Sequence, residues 1–337
     1  MVVILAWVSG ALAAAGFASV LLLVVRRVLL ARAARNQSAA EEHLRPVALA
    51  LAHGEQEVPD TTLSIADAQT LAGILARYAV WLSGDSRAAI ASFFERHGID
   101  EEIAALETGR AWQRAAAAFA LGDMGSTVAV APLLAALSDG AREVRSAAAR
   151  SLGRLQAPEA VEPLVLSLAD GQIPRAVVGQ ALLGIGHAAL PALRVLETNA
   201  EPRVRATAVE LIGLLGDPSD GRLLVERLSD SSAEVRSAAA RALGRLGAAE
   251  GVEALRRTLG DRIPFVRVAA ATALGLIRDK GAVDELLELV RSDHHDVARA
   301  AAEALARIDP ARVRAAGSLH GAAPHLLEAA DLLEMRA

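Results

Sequence analysis

The sequence predicts an all-α protein, and three observations carry that expectation. Apolar residues make up 53% of the 337 residues while aromatics supply only 3%, so the core must be built from Ala, Leu and Val, and Ala and Leu are among the best helix formers. Almost no stretch alternates strictly between apolar and polar residues, the pattern of a half-buried strand. From Arg110 onward the chain repeats itself every 30 or 31 residues, a period that belongs to stacked helix pairs.

The first element in the chain is an uncharged run of 24 residues, Val2 to Val25. A bilayer core needs roughly 20 apolar residues as a helix, so residues 1–25 are expected to form a transmembrane helix. No basic residue precedes the run, and Arg26, Arg27, Arg32 and Arg35 follow it at once. A cleaved signal has the reverse arrangement and a shorter apolar core. The positive-inside rule therefore places the N-terminus outside and the remainder in the cytoplasm, anchored in the inner membrane. Residues 26–38 form the basic juxtamembrane linker.

Residues 39–109 are acidic: twelve Asp and Glu against four Arg between 36 and 109. Ile65, Ala68, Leu71, Ile74, Leu75, Tyr78 and Leu82 recur at helical spacing, behind Ser64 as N-cap and before the breaker Ser83-Gly84-Asp85. A second amphipathic helix precedes Gly98, and a short one is expected from Ile99 to Leu106. Phe93, Phe94, Tyr78 and Trp81 read as core residues, and the whole stretch as an N-terminal cap for a solenoid.

The solenoid is expected over residues 110–316, as six to seven helix pairs. AREVRSAAARSLGRLQAPEAVEPLVLSLAD from Ala141 and AEVRSAAARALGRLGAAEGVEALRRTLGD from Ala233 are near copies. An arginine marks each unit: Arg114, Arg145, Arg175, Arg205, Arg236 and Arg267, with a seventh partial copy near Val297 carrying Ala298 in its place. A residue present in every unit belongs to the unit. These arginines are therefore read as structural, beside an Asp about six residues back, such as Asp139, Asp230 and Asp261, and reaching inter-repeat carbonyls and carboxylates. Each first helix is expected to end at its Leu-Gly pair. One second helix, VAVAPLLAAL from Val128, has no polar residue and is expected to be covered by the acidic stretch or by a partner. Residues 317–337 are expected to hold a capping helix, Pro324 to Met335.

The pattern Asp…Val-Arg-x-Ala-Ala-x-Ala-Leu-Gly resembles the short HEAT-like repeats first associated with phycobilisome bilin lyases. That resemblance covers roughly Arg110 to Ile308. It implies a superhelix whose second helices line the concave face, where Glu162, Arg194, Arg222, Arg227, Glu253, Arg256, Arg257, Glu285 and Glu288 would point outward as candidates for protein binding.

Several chemistries find no support in the residues. There is no cysteine, which removes disulfides, thiolate metal sites and a thiol nucleophile. The net charge of −5 gives no nucleic-acid footprint. His294-His295-Asp296 has metal-ligand residue types, but adjacent histidines point in different directions, so it reads as a polar helix start. His187, His320 and His325 stand alone. Iron-binding HEAT-like hydroxylases use His-Glu pairs, and this chain has no such dipeptide. The expectation is a non-enzymatic scaffold without cofactor, metal or small-molecule ligand. Its partner is expected to be a membrane-associated protein, such as an integral-membrane enzyme or transporter. The alternatives are an enzyme of the bilin lyase or hydroxylase type, or a regulator that senses a ligand.

Overall fold

The computed structural model describes residues 85–96, 98–292, 294–317 and 324–334, with parts of 39–75. The predicted membrane span, the basic linker, Ser64, Tyr78, Trp81 and His320 lie outside the described residues. Among those described, every regular element is helical and none is a strand. They fall into two compact units. The first holds residues before Arg110 with Ala120–Ala129, and the second holds Arg110–Phe119 with Val130 onward.

In the first unit, residues 41–51 are helical and bury Leu44, Ala48 and Leu51, one face at helical spacing. Leu71, Ile74 and Leu75 are buried as their periodicity predicts. Helix α1 (Asp85–Arg96) buries Phe93 and Phe94, whose rings meet edge to face at 5.4 Å. Gly98, at φ 110°, turns the chain into α2 (Ile99–Thr108). Asp100, Glu101 and Glu102 in the first turn of α2 complement its dipole.

The second unit is two layers of stacked helices. The first helices of the successive pairs are α3 (Ala111–Met124), of which only the part up to Phe119 belongs to this unit, α5 (Arg142–Arg154), α7 (Arg175–Ile185), α9 (Pro202–Leu215), α11 (Ala233–Leu246) and α13 (Pro264–Ile277). Their second helices are α4 (Val130–Ala136), α6 (Val161–Asp170), α8 (Leu190–Leu196), α10 (Gly221–Arg227), α12 (Val252–Thr258) and α14 (Val283–Ser292). Most pairs are linked by a single 3-10 turn. A seventh pair, α15 (His295–Ile308) and α16 (Pro310–Gly317), comes next, and α17 (Pro324–Glu334) packs on both of its helices.

A first helix has a neighbour on each side in its layer and its own second helix beneath, so the buried arc must be wide. Alanine meets that demand without forcing the helices apart. In α11, Ala238, Ala239, Ala240, Ala242 and Leu243 are all buried, and α5 buries Ala147, Ala148, Ala149 and Leu152. Helix α4 is only partly covered within the chain. It is not buried all round: Leu133 faces inward while Ala131 and Ala135 are exposed. Alanine is small enough to lie on either side of the boundary.

The Leu-Gly pair does not end the first helices. They continue past it to Arg154, Leu215, Leu246 and Ile277. The glycine is instead a point of close approach between successive first helices of one layer. A Cβ on Gly153 would lie 2.7 Å from the Cα of Ala181; on Gly213, 2.6 Å from that of Ala242; on Gly244, 2.7 Å from that of Ala273; and on Gly275, 2.8 Å from that of Ala304. The helix-ending turn comes three residues later, in the left-handed region, at Gly247 (φ 63°), Gln156 (φ 56°) and Arg278 (φ 61°).

The third pair breaks the pattern. Helix α7 has 11 residues where α9, α11, α13 and α15 have 14, about one turn fewer. It contacts α9 much less extensively than α9 contacts α11, or α11 contacts α13. Its Gly184 faces back onto the carbonyl of Gly153, and Gly179 meets only the Cδ2 of Leu211, at 3.8 Å. Arg175–Leu196 is long and apolar enough to cross a membrane by composition. It is nevertheless two short helices, broken at Gly186 (φ 82°), with Val177, Val178, Leu182, Leu190 and Leu193 buried in the stack.

Candidate functional site

The repeated arginines build a ladder along the second unit. Arg205 donates from Nε and Nη2 to both carboxylate oxygens of Asp230, at 2.9 and 2.7 Å, and from Nη1 to the carbonyls of Asn199 and Ala200. Arg236 repeats this on Asp261, at 2.7 and 3.0 Å, and on the carbonyls of Asp230 and Ser231. Arg114 grips Asp139 at 2.7 Å through both nitrogens. Arg145 and Arg267 reach back to the carbonyls of Asp139 and Asp261. The aspartates divide their work differently from the sequence expectation. The Asp six residues back supplies its carbonyl, and the carboxylate comes from the Asp 25 residues ahead, in the turn that follows the same pair's second helix. Fork-to-fork pairing of this kind is bidentate and charge-assisted.

Each of these aspartates also accepts from the backbone two residues on: Asp139 from Ala141, Asp230 from Ser232 and Asp261 from Ile263, at 2.8 to 2.9 Å. The Arg114 guanidinium and the Ala141 N–H hold the Asp139 carboxyl below its ordinary value against the effect of burial. Arg236 and the Ile263 N–H do the same for Asp261. At Asp230 burial pushes the carboxyl up, but the bonds from Arg205 and Ser232 together outweigh it, and the group ends lowered.

At the third pair the ladder loses its carboxylate. The residue in the aspartate's place is Asn199, whose Oδ1 still accepts from Glu201 N–H at 2.9 Å and whose carbonyl still takes Arg205. An amide cannot neutralise a guanidinium. Arg175 makes only a 3.9 Å contact with Glu201 and is 39% exposed, against 9% for Arg236. One joint earlier, Arg145 reaches only the carbonyl of Gln172 with its Nε and Nη2.

Arg175 opens onto a groove of about 430 Å³ on the first-helix layer, spanning α7, α9, α11 and α13. Arg203, Glu210, Glu234, Arg241 and Phe265 line it as well. Arg241 donates to the Ser237 hydroxyl, and no ion pair joins the three arginines to the two glutamates among the described residues. Phe265 is 49% exposed. The exchange of Asp for Asn at position 199 was the sequence signal for this site, hidden by the even spacing of the arginines.

The nine residues expected on the second helices divide into two groups. Four are held in cross-repeat pairs. Arg194 grips Asp220, which is 4% exposed, at 2.7 and 3.1 Å. Arg256 holds Glu285 through Nε at 3.1 Å. Arg227 approaches Glu197 at 2.9 Å without the alignment of a hydrogen bond, and burial raises the Glu197 carboxyl despite that neighbour. Glu162, Arg222, Glu253, Arg257 and Glu288 are exposed on this layer. His325, isolated in sequence, packs edge to face on His295 at 4.5 Å, because α17 returns to the start of α15. No cluster of three or more metal-ligating residues occurs among the described residues.

No curated protein sequence matches the chain. Solved structures with similar folds include the CpcE–CpcF complex of phycocyanin lyase from Nostoc sp., at 21% identity and TM-score 0.40, covering 43% of this chain and 98% of that one. Human deoxyhypusine hydroxylase is 20% identical with TM-score 0.33, covering 82% and 99%. YibA of E. coli is 17% identical with TM-score 0.44, covering 75% and 98%. Residues 99–182 and 221–306, half of the chain, match the HEAT repeats family, and Asn199 lies in the interval between them. With two layers of helix pairs, a repeated arginine joint and this match, the chain belongs to the HEAT-repeat family.

Proposed function

We propose that this protein is a HEAT-repeat scaffold tethered to the inner membrane by a single N-terminal helix, with its repeats in the cytoplasm, where they dock a membrane-associated protein partner. The observation that carries the reading is the order of the parts. An uncharged run from Val2 to Val25 abuts four arginines, and an array of helix pairs comes after them. A helix of that length spans a bilayer, and the arginines orient it. Repeat arrays of this kind present an extended, rigid surface rather than an enclosed reaction chamber. Tethering such a surface raises the effective concentration of any partner in the same membrane without adding a contact. An integral-membrane enzyme or transporter fits that geometry.

The test is affinity recovery from detergent-solubilised membranes, with the full chain beside a version lacking residues 1–35. The full chain is expected in the membrane fraction and to recover a membrane protein identified by mass spectrometry, while the shortened chain leaves the membrane fraction. A full chain that stays soluble removes the tether. A full chain that recovers no protein but carries a chromophore, metal or small molecule removes the scaffold in favour of a lyase, hydroxylase or sensor.

A further inference from the structure

We propose that the groove on the first-helix layer is a docking site for a short acidic peptide segment of a protein partner, and that Asn199 creates it by releasing Arg175 from the ladder. The proposal rests on the scaffold reading in taking a protein as the occupant, and it does not need the membrane tether.

Three observations converge on this face. First, the template arginine has a structural use at the intact joints: Arg114, Arg205 and Arg236 each close on an aspartate 25 residues ahead. At Arg175 the fold keeps the arginine and the turn, but the acid is an amide. Second, the released guanidinium lines a groove with two more, Arg203 and Arg241. Neither forms an ion pair among the described residues, and three cations face two carboxylates, Glu210 and Glu234. Planar guanidiniums bind carboxylates two bonds at a time, so Arg203 and Arg241, with Arg175 held only by its 3.9 Å contact to Glu201, select acidic side chains. Third, the floor between the arginines includes Ala206 and Ala238, and the half-exposed Phe265 closes one end. An apolar side chain between the acids would cover these atoms. The groove is open along its length, which suits an extended peptide better than an enclosed metabolite.

The site lies on α7, α9, α11 and α13, whereas the nine residues expected to bind lie on the second helices. A partner on the groove therefore leaves the second-helix layer free.

The experiment is fluorescence anisotropy on the full chain in detergent, with a fluorescein-labelled peptide of alternating Glu and Leu as probe, beside the same peptide with Gln for Glu. The Glu peptide is expected to bind and the Gln peptide to bind far more weakly. Arg175→Gln and Arg203→Gln should each weaken binding roughly tenfold, and Arg291→Gln, on α14 of the other layer, should not. The discriminating variant is Asn199→Asp, at a position outside the groove lining. It is expected to recapture Arg175, so that binding weakens while the melting temperature rises. Binding unchanged in Arg175→Gln and Arg203→Gln overturns the site, as does equal binding of the Glu and Gln peptides, or binding of single-stranded RNA with none of the Glu peptide. If the groove variants lose the peptide, the site stands whatever the membrane recovery shows. If they keep a recovered partner and the peptide alike, the groove falls and the scaffold remains.

Discussion

Between Pro202 and Ile277 each joint is made three ways: a glycine laid against the next helix, an arginine closed on an aspartate, and long first helices in contact along their length. At Arg175–Leu196 all three are altered. The helix is about one turn shorter, its glycine faces the preceding unit, and the acid is an amide. Even spacing of a repeat therefore does not guarantee an even joint. The altered joint is also where a scaffold can place recognition chemistry. A side chain freed from holding the stack is already positioned by it.

The largest effect should come from the same substitution made at two glycines. A Cβ on Gly244 meets backbone of the next helix, so Gly244→Ala must push α11 and α13 apart, at a cost of about 2 to 3 kcal/mol. Gly179 has room, so Gly179→Ala should stabilise by about 0.5 to 1 kcal/mol through helix propensity and reduced unfolded-state entropy. Urea titrations of the two variants read both signs, and equal destabilisation would erase the distinction between the joints.

Next in size is the arginine itself. Arg236→Gln leaves the Asp261 carboxylate and two carbonyls short of donors, and should cost about 2 kcal/mol. Arg175→Gln should change stability by less than about 0.5 kcal/mol, as for an exposed pair. Acid then separates the two regions by sign. Asp230 and Asp261 are lowered in the folded state, so the stability they confer is complete above the unfolded value of 3.8 and is lost as pH falls through their folded values. Glu197, raised by burial at the altered joint, runs the other way: its charge is disfavoured at neutral pH and relieved on acidification. Urea midpoints tracked from pH 7 to about 2.5 should fall more shallowly in Asp261→Asn and more steeply in Glu197→Gln. The smallest effect belongs to the turns. Arg278→Gly, at φ 61°, should add about 0.5 kcal/mol in the same assay.

Much of this was legible in the sequence. The period, the helix pairs, the structural use of the arginines and the buried Phe93 and Phe94 come from spacing and composition, because helix geometry converts position into facing. What escaped depended on separation in space. Asp261 reaches Arg236 across an entire unit, and sequence proximity favoured Asp230 instead. The Leu-Gly glycine resembled a helix end because glycine commonly serves there, while its use as a contact point is visible only beside Ala273. Arg175 fitted the arginine spacing, and the missing acid 24 residues on was masked by an amide that makes the same turn. His295 and His325 meet only because the last helix folds back.

The placement of the aspartate bears on how such an array can grow. Residues 231–261 contain both Arg236 and the carboxylate it grips, and ask of the preceding unit only a carbonyl and a helix face. Such a segment can be copied in tandem with its seams matching on both sides, so the gene can lengthen the array by plain duplication. The third unit lacks that property. Its one-off chemistry works only once, and it marks a fixed address along an otherwise extensible array.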